Sequence, residues 1–327
     1  MKVEIFRRTV KDRKRGNSYE LLYHLKKGIE AAGDEAVIVN ESRSGPTVEG
    51  EMTPTAPMAA MFGYGGDQQM HHTKGRRREL ADNCRAKKIP LITFDGGLLS
   101  SFGNISTSPD HHFRVSLYTP MNDGNFLSDN SPNDRWEMLV KKFDVKYEPW
   151  RKSNQDDPII FVMQPKDNWS MNELDPIDWF NGVYEKLRPA TDRKFIVRPH
   201  PNNVSNILER ENELPDDVEI QYTQKHFKGD EKKYYRFHFQ EAIANAHAVV
   251  THNSTASVDS CIRGIPTFCT SDLALCWDVC NKDLNDIETP KTPDRTQWVN
   301  DLGYKLWSIQ EIKDGTVYKR FKERLGL

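Results

Sequence analysis

The run Ala248-Val249-Val250-Thr251-His252-Asn253-Ser254-Thr255-Ala256-Ser257-Val258-Asp259, closing at Gly264-Ile265-Pro266, changes periodicity partway along. Its opening is small and β-branched, as in a strand buried within a parallel sheet. A patch of hydroxyl and amide side chains follows, each able to cap a helix. Val258, Cys261 and Ile262 then recur at helical spacing, Gly264 stops the helix, and Ile265-Pro266-Thr267-Phe268 reads as the next strand. Such a unit leaves main-chain N–H groups and a positive dipole end at one edge, which suits a phosphate. It also describes an ordinary strand, cap and helix with no ligand.

Two further strands point to the same edge. Lys194-Phe195-Ile196-Val197-Arg198-Pro199-His200-Pro201 is a short strand stopped by prolines, with Arg198 and His200 at its carboxyl end. Ile159-Ile160-Phe161-Val162-Met163 ends in Gln164-Pro165. Open α/β sheets bind ligands outside the carboxyl ends of their strands. As a set, Gln-Pro, Arg-Pro-His-Pro and His-Asn-Ser-Thr over about residues 158–270 resemble the donor domain of GT-B glycosyltransferases, particularly bacterial capsule, Kdo and sialic-acid transferases. The resemblance implies an α/β protein of two Rossmann-like domains facing a central cleft. It also implies a His-Pro element and a Ser-rich helix start that hold the donor phosphate.

The 327 residues suit two domains of ordinary size. Residues 1–154 form the expected acceptor-binding domain. Residues 155–327 form the nucleotide-sugar-binding domain, with the helix expected over Ile309–Leu325 able to cross back onto the first. The polar stretch Lys146–Asp157 reads as the linker. Hydrophobic residues at 37% and charged residues at 29% describe a polar chain. No apolar run approaches the roughly 20 residues needed to span a bilayer, and the amino terminus lacks a signal-like apolar core, so a cytoplasmic protein is expected. The five cysteines, at 84, 261, 269, 276 and 280, show no zinc-ligand spacing and read as reduced thiols. No metal or other cofactor is expected beyond a UDP- or CMP-linked sugar as co-substrate.

In the first half, strands are expected at Val3–Phe6, Ala36–Val39, Met58–Tyr64, Pro90–Phe94 and Phe113–Leu117. Helices are expected at Tyr19–Ala32, from about Thr73 to Lys87, and from Asn133 to Phe143. This β-α-β-α rhythm implies a parallel sheet. Net charge is −2, yet residues 1–16 hold seven basic and two acidic side chains, and residues 71–88 repeat that excess. Lys11, Arg13, Lys14 and Arg15 follow the first strand; Lys74, Arg76, Arg77 and Arg78 follow the third. Both groups fall at the carboxyl edge of the expected sheet, where they would suit a polyanion such as DNA or serve simply as solvated loops.

Asp95, ending a hydrophobic strand before two glycines, is placed to take a proton from an acceptor hydroxyl, with Asp123-Gly124 a second candidate; Asp-Gly is also a common turn. The resembled sialic-acid transferases carry an acidic residue before glycine for this job. Arg198 and His200 would stabilise charge on the leaving phosphate. Gln164, Asn253, Ser254, Thr255 and Ser257 complete the expected donor contacts. His252 and Trp169 are open between core and site. The expected activity is transfer of a sugar from a nucleotide sugar to a hydroxyl. A hydroxymethylated base in phage DNA comes first as acceptor and an envelope glycan second, while a non-catalytic nucleotide- or DNA-binding module stays open. Phage DNA glycosyltransferases share the GT-B layout. Oligomeric state is not legible.

Overall fold

The computed structural model describes residues 1–8, 16–41, 52–64, 76–98, 111–221 and 239–327. The chain begins with β1 (Lys2–Arg8), α1 (Gly16–Ala31), β2 (Glu35–Glu41), β3 (Met58–Phe62), α2 (Arg76–Ala86), β4 (Leu91–Gly96), β5 (His112–Leu117) and α3 (Asp134–Phe143). It continues through β6 (Ile159–Val162), α4 (Pro176–Leu187), β7 (Phe195–Arg198), α5 (Val204–Leu208), β8 (Val218–Ile220), β9 (Ala248–Thr251), α6 (Ala256–Ile262) and β10 (Thr267–Cys269). The last elements are α7 (Thr296–Gly303), β11 (Leu306–Ser308), α8 (Ile309–Lys313) and α9 (Thr316–Arg324).

Two compact units result, Met1–Trp136 with Asn300–Leu327, and Glu137–Val299. The breaks fall inside α3 and α7 rather than in the polar stretch expected as a linker. That stretch is tied into the second unit: Glu148 N–H donates to Ile262 O (3.0 Å) and Arg151 N–H to Gly264 O (2.7 Å).

The first unit holds a six-stranded sheet, ordered β11-β5-β4-β3-β1-β2. β1 to β4 are parallel, but β5 runs antiparallel to β4, and β11 antiparallel to β5. Val3 and Ile5 pack against Leu21, Leu25 and Ile29 of α1 and against Ile312, Val317, Tyr318 and Phe321 from the chain's end. The single helix expected over Ile309–Leu325 is two helices, broken at Gly315, whose φ of +85° lies in the left-handed region. A Cβ on Gly28 of α1 would lie 2.1 Å from Ile312 O, so the close approach of α1 and α8 needs glycine there. Arg135 fastens the returning segment, its guanidinium 3.9 Å from the Trp307 ring centre and its Nη1 donating to Glu311 Oε1 at 2.5 Å.

The second unit holds a five-stranded, all-parallel sheet, ordered β10-β9-β6-β7-β8. Strand residues alternate between two buried faces. Phe161, Phe195, Val197 and Val250 pack on Ile177, Phe180 and Val183 of α4, while Ile160, Val162, Ile196 and Val249 pack on Phe239, Ile243 and Ala246. Burial on both faces explains why these strands read as unbroken apolar runs. Asp175 starts α4, its Oδ1 accepting from Ile177 N–H at 2.9 Å ahead of Pro176.

Candidate active site

In the second sheet the chain leaves β6 toward β7 and β8, then returns past β6 to place β9 and β10 on its other side. The strand order reverses beside β6, and the crevice outside the carboxyl ends at such a point is where open α/β sheets bind ligands. Val162 pairs with both Arg198 and Thr251, so the three strands end level. At ordinary strand spacing the Arg198 and Thr251 main chains stand about 10 Å apart.

Gln164 and Asn253, from the ends of β6 and β9, span this crevice and bind each other. Gln164 Nε2 donates to Asn253 Oδ1 (2.8 Å) and to Ser170 Oγ (2.8 Å), while Gln164 Oε1 accepts from Asn253 N–H (3.1 Å). Asn253 Nδ2 donates to Ser170 O (2.8 Å) and Ser271 Oγ (3.3 Å). Both residues are buried, and their amides are committed to this lattice. The loop after β6 needs it. Asp167, Asn172 and Glu173 all have φ between +48° and +70°, at a cost of about 1–2 kcal/mol per residue. Ser170 was not singled out in the sequence; the Asn168-x-Ser170 turn, with Ser170 N–H donating to Asn168 Oδ1 (3.0 Å), was its available signal.

Arg198 is 7% exposed, and its Nη1 donates to Gln221 Oε1 at 2.9 Å. A buried guanidinium at a strand's carboxyl end is a fixed positive charge in a low-dielectric setting. Burial pushes His200 down to about 4, so its imidazole is neutral near pH 7 and the fixed charge here belongs to Arg198. Asn203, also unmarked in the sequence, is 4% exposed. Its Oδ1 accepts from Lys166 N–H at 3.2 Å, joining the β6 and β7 loops, and its Nδ2 lacks a partner among the described residues.

After β9, Ser257 turns its hydroxyl back to Ser254 O (2.6 Å), and Ser254 Oγ accepts from Ala256 N–H (3.3 Å). Among the described residues, the Ser254 and Thr255 main-chain N–H groups have no acceptor, and Thr255 is exposed. His252 is lowered by burial; its Nδ1 lies 2.9 Å from Thr270 Oγ1, which also accepts from Trp179 Nε1 at 2.8 Å. The aromatic residue beside the crevice's histidine is thus Trp179 of α4.

In the first unit Asp95 ends β4 opposite Arg114 of β5. Asp95 Oδ2 accepts from Arg114 Nη2 (3.1 Å) and Oδ1 from Gly96 N–H (2.7 Å). Arg114 is 6% exposed, its affinity for a proton lowered by burial and partly restored by Asp95; it also donates to Gly96 O (2.7 Å) and Pro120 O (3.0 Å). An arginine inside an apolar strand requires a partner, and that was the unread signal in Phe113-Arg114-Val115. Asp123 is exposed, accepting from Thr119 Oγ1 (2.5 Å), with Arg85 at 3.7 Å.

Lys11, Arg13, Lys14, Arg15 and Lys74 lie outside the described residues, as does the side chain of Arg76. Arg77 Nη1 donates to Phe62 O and to Gly63 O (3.0 Å), closing the end of β3, and Arg78 sits 5.9 Å from the Tyr64 ring centre. No described helix is long and apolar enough to cross a membrane.

The chain matches no protein-family model and no curated protein sequence. Solved structures do resemble it. The β-Kdo 2,4-transferase of Thermosulfurimonas dismutans KpsC overlaps with a TM-score of 0.52 at 16% identity, over 93% of this chain and 90% of that one. The β-Kdo 2,7-transferase of the same protein gives 0.49 at 11% identity, over 98% and 100%. With two Rossmann-like units, the chain has the fold of the GT-B class.

Proposed function

We propose that this chain is a nucleotide-sugar-dependent glycosyltransferase whose donor phosphate binds at the carboxyl ends of β6, β7 and β9. The observation that carries the reading is that a buried Arg198 and the open N–H groups of Ser254 and Thr255 lie at the carboxyl ends of the two strands flanking β6, at the strand-order reversal. α6 is only seven residues long, so its dipole is a minor contribution; the guanidinium and the N–H groups supply the charge complement. Gln164 and Asn253 act by holding the crevice in shape, since their own amides are occupied.

In transfer, the bond from the anomeric carbon to the phosphate oxygen breaks and its electron pair leaves with the phosphate. Arg198 stabilises that charge. The acceptor oxygen bonds to the anomeric carbon, and its proton passes to a carboxylate. Asp95 is the candidate, since Arg114 and Gly96 leave further lone pairs on both of its oxygens. A glycan hydroxyl is the favoured acceptor. Arg77 is spent on main-chain carbonyls, and the structure that overlaps this chain with a TM-score of 0.52 is a β-Kdo 2,4-transferase.

The test is calorimetry with a panel of UDP- and CMP-sugars, then transfer assays with glycan and hydroxymethylated-DNA acceptors. Arg198→Ala should weaken donor binding about 10- to 100-fold, the worth of a charged hydrogen bond. Unchanged binding removes the phosphate assignment; binding without transfer to any acceptor favours a non-catalytic module. Transfer to DNA that falls steeply with salt restores the polyanion reading.

A further inference from the structure

Three of the chain's five cysteines, Cys269, Cys276 and Cys280, converge at the end of β10 and the turn that follows it. The sulfurs of Cys269, Cys276 and Cys280 all lie within 4.8 Å of one another, and the Cys269 and Cys276 sulfurs are 3.5 Å apart. Cys269 and Cys276 are buried and Cys280 is half-buried. The turn that gathers them is well tied: Cys269 N–H donates to Asn281 O (3.0 Å), Asn281 N–H to Thr267 O (2.7 Å), and Cys280 N–H to Cys276 O (2.9 Å). Asn281 also exchanges two side-chain hydrogen bonds with the Lys291 main chain, at 2.8 and 3.1 Å.

We infer that Cys269, Cys276 and Cys280 form a three-thiolate site for a divalent, thiophilic d10 cation of the Zn2+ type. Sulfurs sharing one such ion at about 2.3 Å stand about 3.8–4.0 Å apart, so a trio already within 4.8 Å needs to move by no more than about an ångström. A disulfide would have to close the 3.5 Å pair to about 2.05 Å and would leave the third sulfur without a role. A shared ion uses all three. Binding converts three thiols to thiolates and releases three protons, so a divalent ion leaves the site with one net negative charge. Lys282, its Nζ 4.7 Å from the Trp277 ring centre, lies on the same turn to offset that charge, whereas a monovalent ion would leave twice as much. Water from the half-buried Cys280 side would complete the fourth position.

The residues that follow Cys269 hold the crevice: Thr270 Oγ1 meets His252 Nδ1 and Ser271 Oγ accepts from Asn253 Nδ2. The ion would therefore stiffen the loop behind the candidate active site. The inference does not depend on the proposed transfer, because its assay reads metal.

The reduced, chelator-stripped full chain should be titrated with Cd2+, following thiolate-to-metal charge-transfer absorption, and then with Zn2+ in competition. One Cd2+ per chain, displaced by Zn2+, is expected. Cys280→Ser, the least buried ligand, should weaken binding at least tenfold with an unchanged far-ultraviolet circular dichroism spectrum, while Cys84→Ser and Cys261→Ser should not. Absence of a stoichiometric charge-transfer band in the unmodified chain overturns the proposal without recourse to any variant. So does equal affinity in Cys280→Ser.

Discussion

Replacing Gln164 by Ala isolates the lattice that closes the crevice. The substitution deletes three hydrogen bonds, to Asn253 Oδ1, from Asn253 N–H and to Ser170 Oγ, all between 2.8 and 3.1 Å. At about 1 kcal/mol each they account for about 3 kcal/mol. Asn253, 1% exposed, is left with an unpaired N–H and Oδ1 that water reaches poorly, which brings the expected loss to about 3–4 kcal/mol. Asn253→Ala deletes the same Nε2–Oδ1 bond together with those to Ser170 and Ser271, for about 3 kcal/mol. Because one bond is counted in both, the double variant should cost about 1–2 kcal/mol less than the sum. Urea unfolding, followed by circular dichroism and tryptophan emission, measures all four corners of the cycle. Costs that add to within about 0.5 kcal/mol, or a single-variant loss below about 1 kcal/mol, would refute the claim that the two amides act as one latch.

Three further outcomes are expected. Asp95→Asn should cost about 3 kcal/mol of stability through the unpaired Arg114 it leaves, so lost transfer counts toward catalysis only if thermal melts show the variant folded. Below pH 6.5 the unfolded chain protonates a histidine that native His200, at about 4, refuses; stability is therefore lost as pH falls from about 6.5 to about 4, by up to about 3 kcal/mol. His200→Gln should flatten that part of the stability profile, and an unchanged acid slope would contradict it. Gly264→Ala places a Cβ 1.9 Å from Pro149 O at a φ of +70°, and a loss of at least about 2–3 kcal/mol in urea unfolding is expected.

Strands buried on both faces were legible because nothing polar interrupts Ile159–Val162, Phe195–Val197 or Ala248–Val250. β8 was hidden, since Val218-Glu219-Ile220 is half-buried and sits within an acidic stretch whose charges dominate the pattern. β11 has three residues, and its antiparallel pairing with β5 leaves no trace in periodicity, which reports faces and not directions. The strand-end rule placed Gln164, Arg198, His200 and Asn253 at the carboxyl ends of their strands but did not say who holds whom. That Gln164 clasps Asn253, or that Asp95 meets Arg114, depends on neighbours in the sheet 89 and 19 residues away. The thiol trio lies close in sequence, and its convergence depends on how the turn after β10 folds back on Cys269, which spacing alone did not convey.

A crystal structure of the chain with a bound nucleotide sugar bears most directly on the central claim. The account expects a donor phosphate oxygen within about 3 Å of the Ser254 or Thr255 N–H and of the Arg198 guanidinium. A phosphate bound elsewhere, with the ends of β7 and β9 untouched, would contradict it.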